Sequence, residues 1–276
     1  MTTILSDDVS TPTTKAAKLR QAAVWPFHAI LKRGWMLGSV FGGLALWEFI
    51  SRVLVGSKLF LAAPTQVLVA LYELTKTGEL KTHIWTSASE FLIGYVIACV
   101  LGVLLGLAMA GSKAGKQALQ PWVSGLYATP TVALAPLFIL WFGIGILSKV
   151  IVVAVLVVFP VAINTEAGLL TTSRQLIETV KSFGASPSQI FFKVSLPSAL
   201  PFIFAGFKLG IGRGLIGVVV AELFGARAGL GQMIQQAAET FDMPTLFAGV
   251  VMLAGAGIAL TSGFAWLETK LIPWRE

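Results

Sequence analysis

The chain has 276 residues, of which 56% are apolar and only 12% charged, with a mean hydropathy of +0.83. A water-soluble domain carries about twice that share of charge, so the composition excludes an ordinary soluble protein and makes lipid the expected solvent. The net charge of +7 accompanies no nucleic-acid motif, and a single cysteine, Cys99, excludes an intramolecular disulfide or a cysteine-based metal site.

Residues 1–33 read as a cytoplasmic tail, of which 1–21 are polar and rich in Ser and Thr. Within it, Trp25, Phe27, Ile30 and Leu31 beside Lys32 and Arg33 suit a short interfacial helix. A signal peptide is not expected here, because the apolar run after Arg33 is too long and lacks a small-residue cleavage site. Six spans follow, at 34–56, 86–110, 120–143, 147–169, 202–225 and 245–267. Each has about the 20 residues that a helix needs to cross a bilayer. Barrel strands would be short and alternating, so the expected class is an all-α integral membrane protein. Residues 268–276 read as a second cytoplasmic tail.

Six spans put both ends on one side. With the N-terminus inside, six of the 20 Lys and Arg residues fall outside (Arg52, Lys58, Lys76, Lys81, Lys149 and Arg227). Arg213 lies within the fifth span, and the remaining 13 lie inside, a bias that favours N-in, C-in. Between the first two spans, Val67, Leu68, Leu71 and Leu74 recur at helical spacing. They predict a short helix along the outer surface, started by Pro64-Thr65 and stopped by Gly78.

Small residues recur every fourth position at Ala98, Gly102, Gly106 and Ala110, and again at Gly206, Gly210 and Gly214. Such stripes let helices pack closely. Pro121, Pro130, Pro136 and Pro160 interrupt the third and fourth spans and predict kinked helices, with Pro130 and Pro136 candidates for a translocation pathway. Charged groups in spans are costly and are functional candidates by default. Glu48 and Arg52 are spaced for an ion pair near the outer end of the first span. Arg213 and Glu222 fall on opposite faces of the fifth span and are candidate pathway residues, Glu222 near an outer gate. Glu166 falls at the inner mouth, and the isolated His28 and His83 read as interfacial.

The inner connection at about 171–201 is polar without being shapeless. Leu176 to Phe183 has helix formers and no breaker; Gly184 interrupts; Ser186-Pro187 starts a second helix that Leu196-Pro197 and Leu200-Pro201 end. The helix–turn–helix mixes Glu178, Lys181 and Gln189 with Phe183, Ile190 and Phe191. That mixture suits a groove on a soluble partner, or equally an amphipathic loop lying on lipid headgroups.

The segment resembles the EAA loop of ABC importer permeases, with Glu178, a glycine six residues later at Gly184, and Leu196-Pro197 near its end. It departs from the alanines of that pattern at Thr179 and Val180. The resemblance extends through AAPTQV (62–67), APLFILWFGIG (135–145), FPVAINTEAGL (159–169) and GVVVAELFGARAGLG (217–231). These are similar to the nitrate, sulfonate, bicarbonate and taurine branch. The resemblance implies a type I importer permease fold working as a homodimer in the bacterial inner membrane. It implies two cytoplasmic ATPase subunits, which would hold ATP and Mg, and an extracytoplasmic binding protein that delivers a small anion. The ATPase-coupling residues it implies are Glu178, Lys181, Ser182, Phe183, Gly184, Ala185, Ser186, Pro187 and Gln189, with Leu196 and Pro197 as loop anchor.

No ATP site of this chain's own is expected. In GSKAGK (111–116) only three residues separate Gly111 from Gly115, and Gln117 follows Lys116, so the segment is no P-loop. No metalloprotease, serine-hydrolase or metal-ligand spacing occurs either. The competing classes are an ion-coupled secondary transporter and a membrane scaffold that transports nothing.

Overall fold

The computed structural model describes residues 35, 37–56 and 60–273. They fall into two units that divide after residue 57. The first contributes one helix, α1 (Leu37–Val55). Its last turn widens to a π-helix, and Gly56 closes it with a φ of 62°. Glu48 and Arg52 form the expected ion pair along this helix. The expected tail at 1–33, its interfacial helix and His28 lie outside the described residues.

The second unit is helical, with no strand among the described residues. Its longer helices are α2 (Pro64–Thr77), α3 (Glu79–Gly111), α4 (Lys113–Ala128), α5 (Ala135–Phe142) and α6 (Ile146–Leu170). After them come α7 (Arg174–Ser182), α8 (Pro187–Ile190), α9 (Leu196–Leu223), α10 (Leu230–Glu239) and α11 (Met243–Leu271). Five described helices are long and apolar enough to cross a membrane, and a bent pair supplies a possible sixth span.

α6 is the centre of the unit. Val153, Val157 and Val161 meet Phe91, Tyr95 and Ala98 of α3 on one side and Ile211 and Val218 of α9 on the other. The glycines make this closeness possible. A Cβ at Gly102 would lie 2.7 Å from the Val158 carbonyl oxygen, and one at Gly106 would lie 2.5 Å from Thr165 Cβ. On α9, Cβ atoms at Gly206, Gly210 and Gly214 would come within 3.0, 2.9 and 2.8 Å of Asn164, Val157 and Phe91. Backbone approach of this kind replaces the hydrophobic driving force that lipid cannot supply.

Three expectations change. The third span is not one kinked helix: α4 and the following helical segment (Thr131–Phe142) meet at 82°. Pro130 sits in the break and Pro136 in the first turn of α5, whereas Pro121 and Pro160 are carried inside continuous helices. Leu196-Pro197 does not end the second helix of the inner connection. α8 passes through a π-helical turn (Phe191–Ser195) directly into α9, and the segment Pro187–Leu223 is one span candidate. A wider turn just ahead of a proline rearranges the hydrogen-bond ladder where its missing N–H would leave a gap. α11 continues to Leu271, past the expected boundary at 267, and its Glu268 is tied to Lys208 of α9.

The helix predicted between the first spans is α2, with Pro64 in its first turn and Gly78 at its end. Leu71 and Leu74 pack on a cluster of Leu80, Leu230 and Met233, so it is bound to the bundle and not only laid along a surface. Leu230 and Met233 belong to α10, an amphipathic helix in what reads from the sequence as a plain connection.

Candidate functional site

The helix–turn–helix at 174–190 is ordered by its own capping. Ser173 Oγ accepts a hydrogen bond from Leu176 N at the start of α7. At the other end, Gly184 N donates to Lys181 O (3.0 Å) and Ala185 N to Val180 O (3.4 Å). This pair of bonds is the Schellman arrangement, which places its left-handed residue at Gly184, where φ is +82°. A Cβ there would meet open space, so the demand for glycine is a backbone demand, not a steric one. Ser186 Oγ then accepts from Gln189 N while Gln189 Oε1 accepts from Ser186 N, a reciprocal capping box that starts α8.

This self-sufficient element is presented outward. No residue of α7 or α8 is buried. Phe183 is 86% exposed at the turn, and Phe192 is exposed just beyond. Glu178 and Lys181 are exposed, and Glu178 faces Arg174 at 3.8 Å across one helical turn. An aromatic ring held out on a rigid, capped turn is suited to filling a pocket on another protein.

The charges inside the bundle behave differently. Arg213, half-buried on α9, donates from Nη2 to Tyr127 Oη at 2.9 Å, and its guanidinium lies 4.6 Å from the centre of that ring. Lys116, from the GSKAGK segment, pairs with Glu166 at 3.0 Å and ties the start of α4 to α6. That segment is the N-terminus of α4, capped by Ser112, whose Oγ accepts from Gly115 N.

Glu222 has no exposed surface. Its Oε1 accepts from Ser87 Oγ at 2.5 Å and its Oε2 from Gly231 N at 2.6 Å, while Ser87 Oγ accepts in turn from Leu230 N. The carboxyl group thus caps the start of α10, where backbone N–H groups and the helix dipole favour an acceptor. A Cβ at Gly229 would fall 2.3 Å from Glu222 Cδ, which explains the glycines flanking Leu230 in AGLG. His83 Nδ1 lies 2.9 Å from the Gly229 carbonyl oxygen, and Lys149 Nζ donates to Gly225 O at 2.5 Å. Glu90, also buried, is within electrostatic reach of Glu222 and Lys149.

Sequence reasoning missed most of this cluster. Lys149 reads as an outer-loop charge but is only 1% exposed. His83 reads as isolated, and Ser87 and Glu90 draw no attention in an apolar run. The available signal was the polar trio His83, Ser87 and Glu90, which sits at helical spacing on one face of α3.

Residues 98–273 match the family model of the binding-protein-dependent transport system inner membrane component. The chain belongs to that family. It is an ABC transporter permease, and its relatives cover most of its length. It is 34% identical over 233 residues to the formylaminopyrimidine transport permease protein ThiX of Halalkalibacterium halodurans, covering 84% of this chain and 92% of that one. It is 35% identical over 245 residues to SsuC of Bacillus subtilis, named for aliphatic sulfonates transport, covering 88% and 89%. The taurine transport system permease protein TauC of Escherichia coli is 32% identical over 236 residues, covering 84% and 86%. The fold matches a chain of an amino acid ABC transporter crystal structure with a TM-score of 0.56 at 17% identity, over 74% of this permease and 97% of that chain.

Proposed function

We propose that this permease is the membrane half of an ATP-driven importer, with α7, Gly184 and α8 as the element that couples it to a cytoplasmic ATPase. Two copies form the pathway, each contributing six spans with both ends in the cytoplasm of a bacterial inner membrane. Two ATPase subunits carry ATP and Mg; this chain holds neither. An extracytoplasmic binding protein delivers a small anion of the sulfonate, taurine, nitrate or bicarbonate class. Glu178, Lys181, Ser182, Phe183, Ala185, Ser186, Pro187 and Gln189 make or support the ATPase contact, and Leu196-Pro197 anchors it to α9.

The observation that carries this reading is the fully capped helix–turn–helix, in which no residue of either helix is buried. A coupling element must be stiff, and it must contact its partner differently in two states, or ATP binding cannot bias the pathway. Continuity of α8 with α9 supplies a stiff link, because movement of the docked loop is movement of a helix that spans the bundle. Under this assignment the Glu222 cluster lies at the outer ends of α3, α6 and α9, distant from the ATPase.

The test is uptake into proteoliposomes holding the permease with its ATPase. These are offered the binding protein with labelled taurine, nitrate or bicarbonate. Uptake that needs both ATP and the binding protein is expected. Uptake driven by an ion gradient without ATP would replace this reading with a secondary transporter.

A further inference from the structure

We propose that Arg213 and Tyr127 form an oxyanion-binding station at the break of the third span, where the negatively charged group of the cargo is held in transit. The proposal rests on the importer reading above and assigns the class of group recognised.

Two observations meet at one point. The first is an arginine within a span that, among the described residues, has no carboxylate partner. Two other basic residues on the spanning helices of this unit are accounted for locally. Lys149 is capped by Gly225 O, and Lys208 is paired with Glu268. Among the described residues Arg213 has only Tyr127, through one hydrogen bond and the ring face. It lies ten residues before the end of α9 at Leu223, about 15 Å in along the helix axis, which is near the middle of a hydrocarbon core of about 30 Å. A cation at that depth faces protein or a water-filled path, not lipid.

The second is the helix break itself. Tyr127 occupies the last turn of α4, immediately before the 82° bend. Residues 124–130 are exposed in this chain, and so are Leu209, Gly212 and Ile216 on the arginine's side of α9. Irregular backbone at membrane depth is tolerated only where it is covered by protein or lines an aqueous cavity. An exposed break and a guanidinium with no carboxylate partner among the described residues share one uncovered face, which two copies of the chain would enclose as the path proposed above.

The chemistry of the pair selects the ligand. Arginine has five N–H donors in a planar fork, and Tyr127 Oη takes one of them. The ring beneath the guanidinium fixes its plane. The unused donors match the spaced oxygens of a sulfonate, carboxylate or nitrate, which a lysine ammonium would meet only as a point charge. Tyr127 Oη, accepting from the arginine, keeps its own proton to donate to the same anion.

The test compares wild type with Arg213→Gln, Arg213→Lys and Tyr127→Phe in proteoliposomes with the ATPase and saturating binding protein. The probes are labelled taurine, nitrate, bicarbonate and uncharged riboflavin. Co-purification of the ATPase and basal ATP hydrolysis report folding. Arg213→Gln is expected to lower the maximal rate of anion uptake about tenfold or more with basal hydrolysis retained. Arg213→Lys should restore part of it, and Tyr127→Phe should cost about threefold.

Wild-type anion uptake that Arg213→Gln leaves unchanged overturns the station and leaves the importer intact. Full restoration by lysine overturns the fork assignment, since a point charge would then suffice. ATP-dependent uptake of riboflavin alone overturns both the station and the anion class. No ATP-dependent uptake of any probe removes the importer reading, and the station with it. If Arg213→Gln does not fold, Ile216→Cys in a Cys99→Ala background decides whether the face is wet. Labelling by a membrane-impermeant sulfonate thiol reagent is expected, and an unlabelled thiol overturns the proposal.

Discussion

Glu222 and Phe183 both lie in segments that resemble the importer permeases, yet the structure treats them in opposite ways. Glu222 has no exposed surface and has protein donors on both carboxyl oxygens. Phe183 is 86% exposed, on a loop whose hydrogen bonds are internal to it. The first arrangement consumes its polar capacity in joining α3, α9 and α10. The second leaves a stiff, unused surface. Similarity to a family motif does not distinguish these roles, whereas hydrogen-bond accounting does.

The two roles separate in a double dissociation. The largest effect is expected at Glu222→Ala. It strands Ser87 Oγ and Gly231 N in a buried site, at a cost of about 3 kcal/mol or more, while a properly folded fraction still binds the ATPase. Thermal unfolding in detergent alongside ATPase co-purification checks both halves.

Phe183→Ala should do the reverse, weakening ATPase affinity by about 2 kcal/mol with no change in thermal stability. Gly184→Val should be somewhat milder. It forces a β-branched residue into the left-handed region at about 1–2 kcal/mol, so the turn reshapes and ATPase binding falls while membrane insertion is kept. Gly184→Asn should recover much of that binding, because asparagine tolerates the same backbone region. The smallest effect is expected at Ser186→Ala, which removes one half of the capping box at about 1 kcal/mol and loosens the start of α8. Binding titrations with purified ATPase rank all four.

How much was legible in the sequence depended on whether the deciding force was local. Long apolar runs, the glycine stripes, the start and stop of α2 and the Gly184 turn are set by nearest neighbours along the chain, and they were readable. The continuity of α8 into α9 was not, because Leu196-Pro197 looks like a stop until a π-helical turn takes up the missing donor. The break after α4 reads in the sequence only as a kink, since a proline marks an interruption without giving its angle. The Glu222 cluster was least legible. Its partners come from α3, α6, the loop after α9 and the start of α10, and only packing brings Ser87 and Gly231 to one carboxyl group.

The most direct measurement is the affinity of the purified ATPase for wild type, Phe183→Ala and Glu222→Ala permease, each checked for folding. The expected result is a loss of about tenfold or more for Phe183→Ala and wild-type affinity for the folded fraction of Glu222→Ala. Wild-type affinity for Phe183→Ala, or an equal loss in both variants, would contradict the assignment of the exposed loop as the coupling surface.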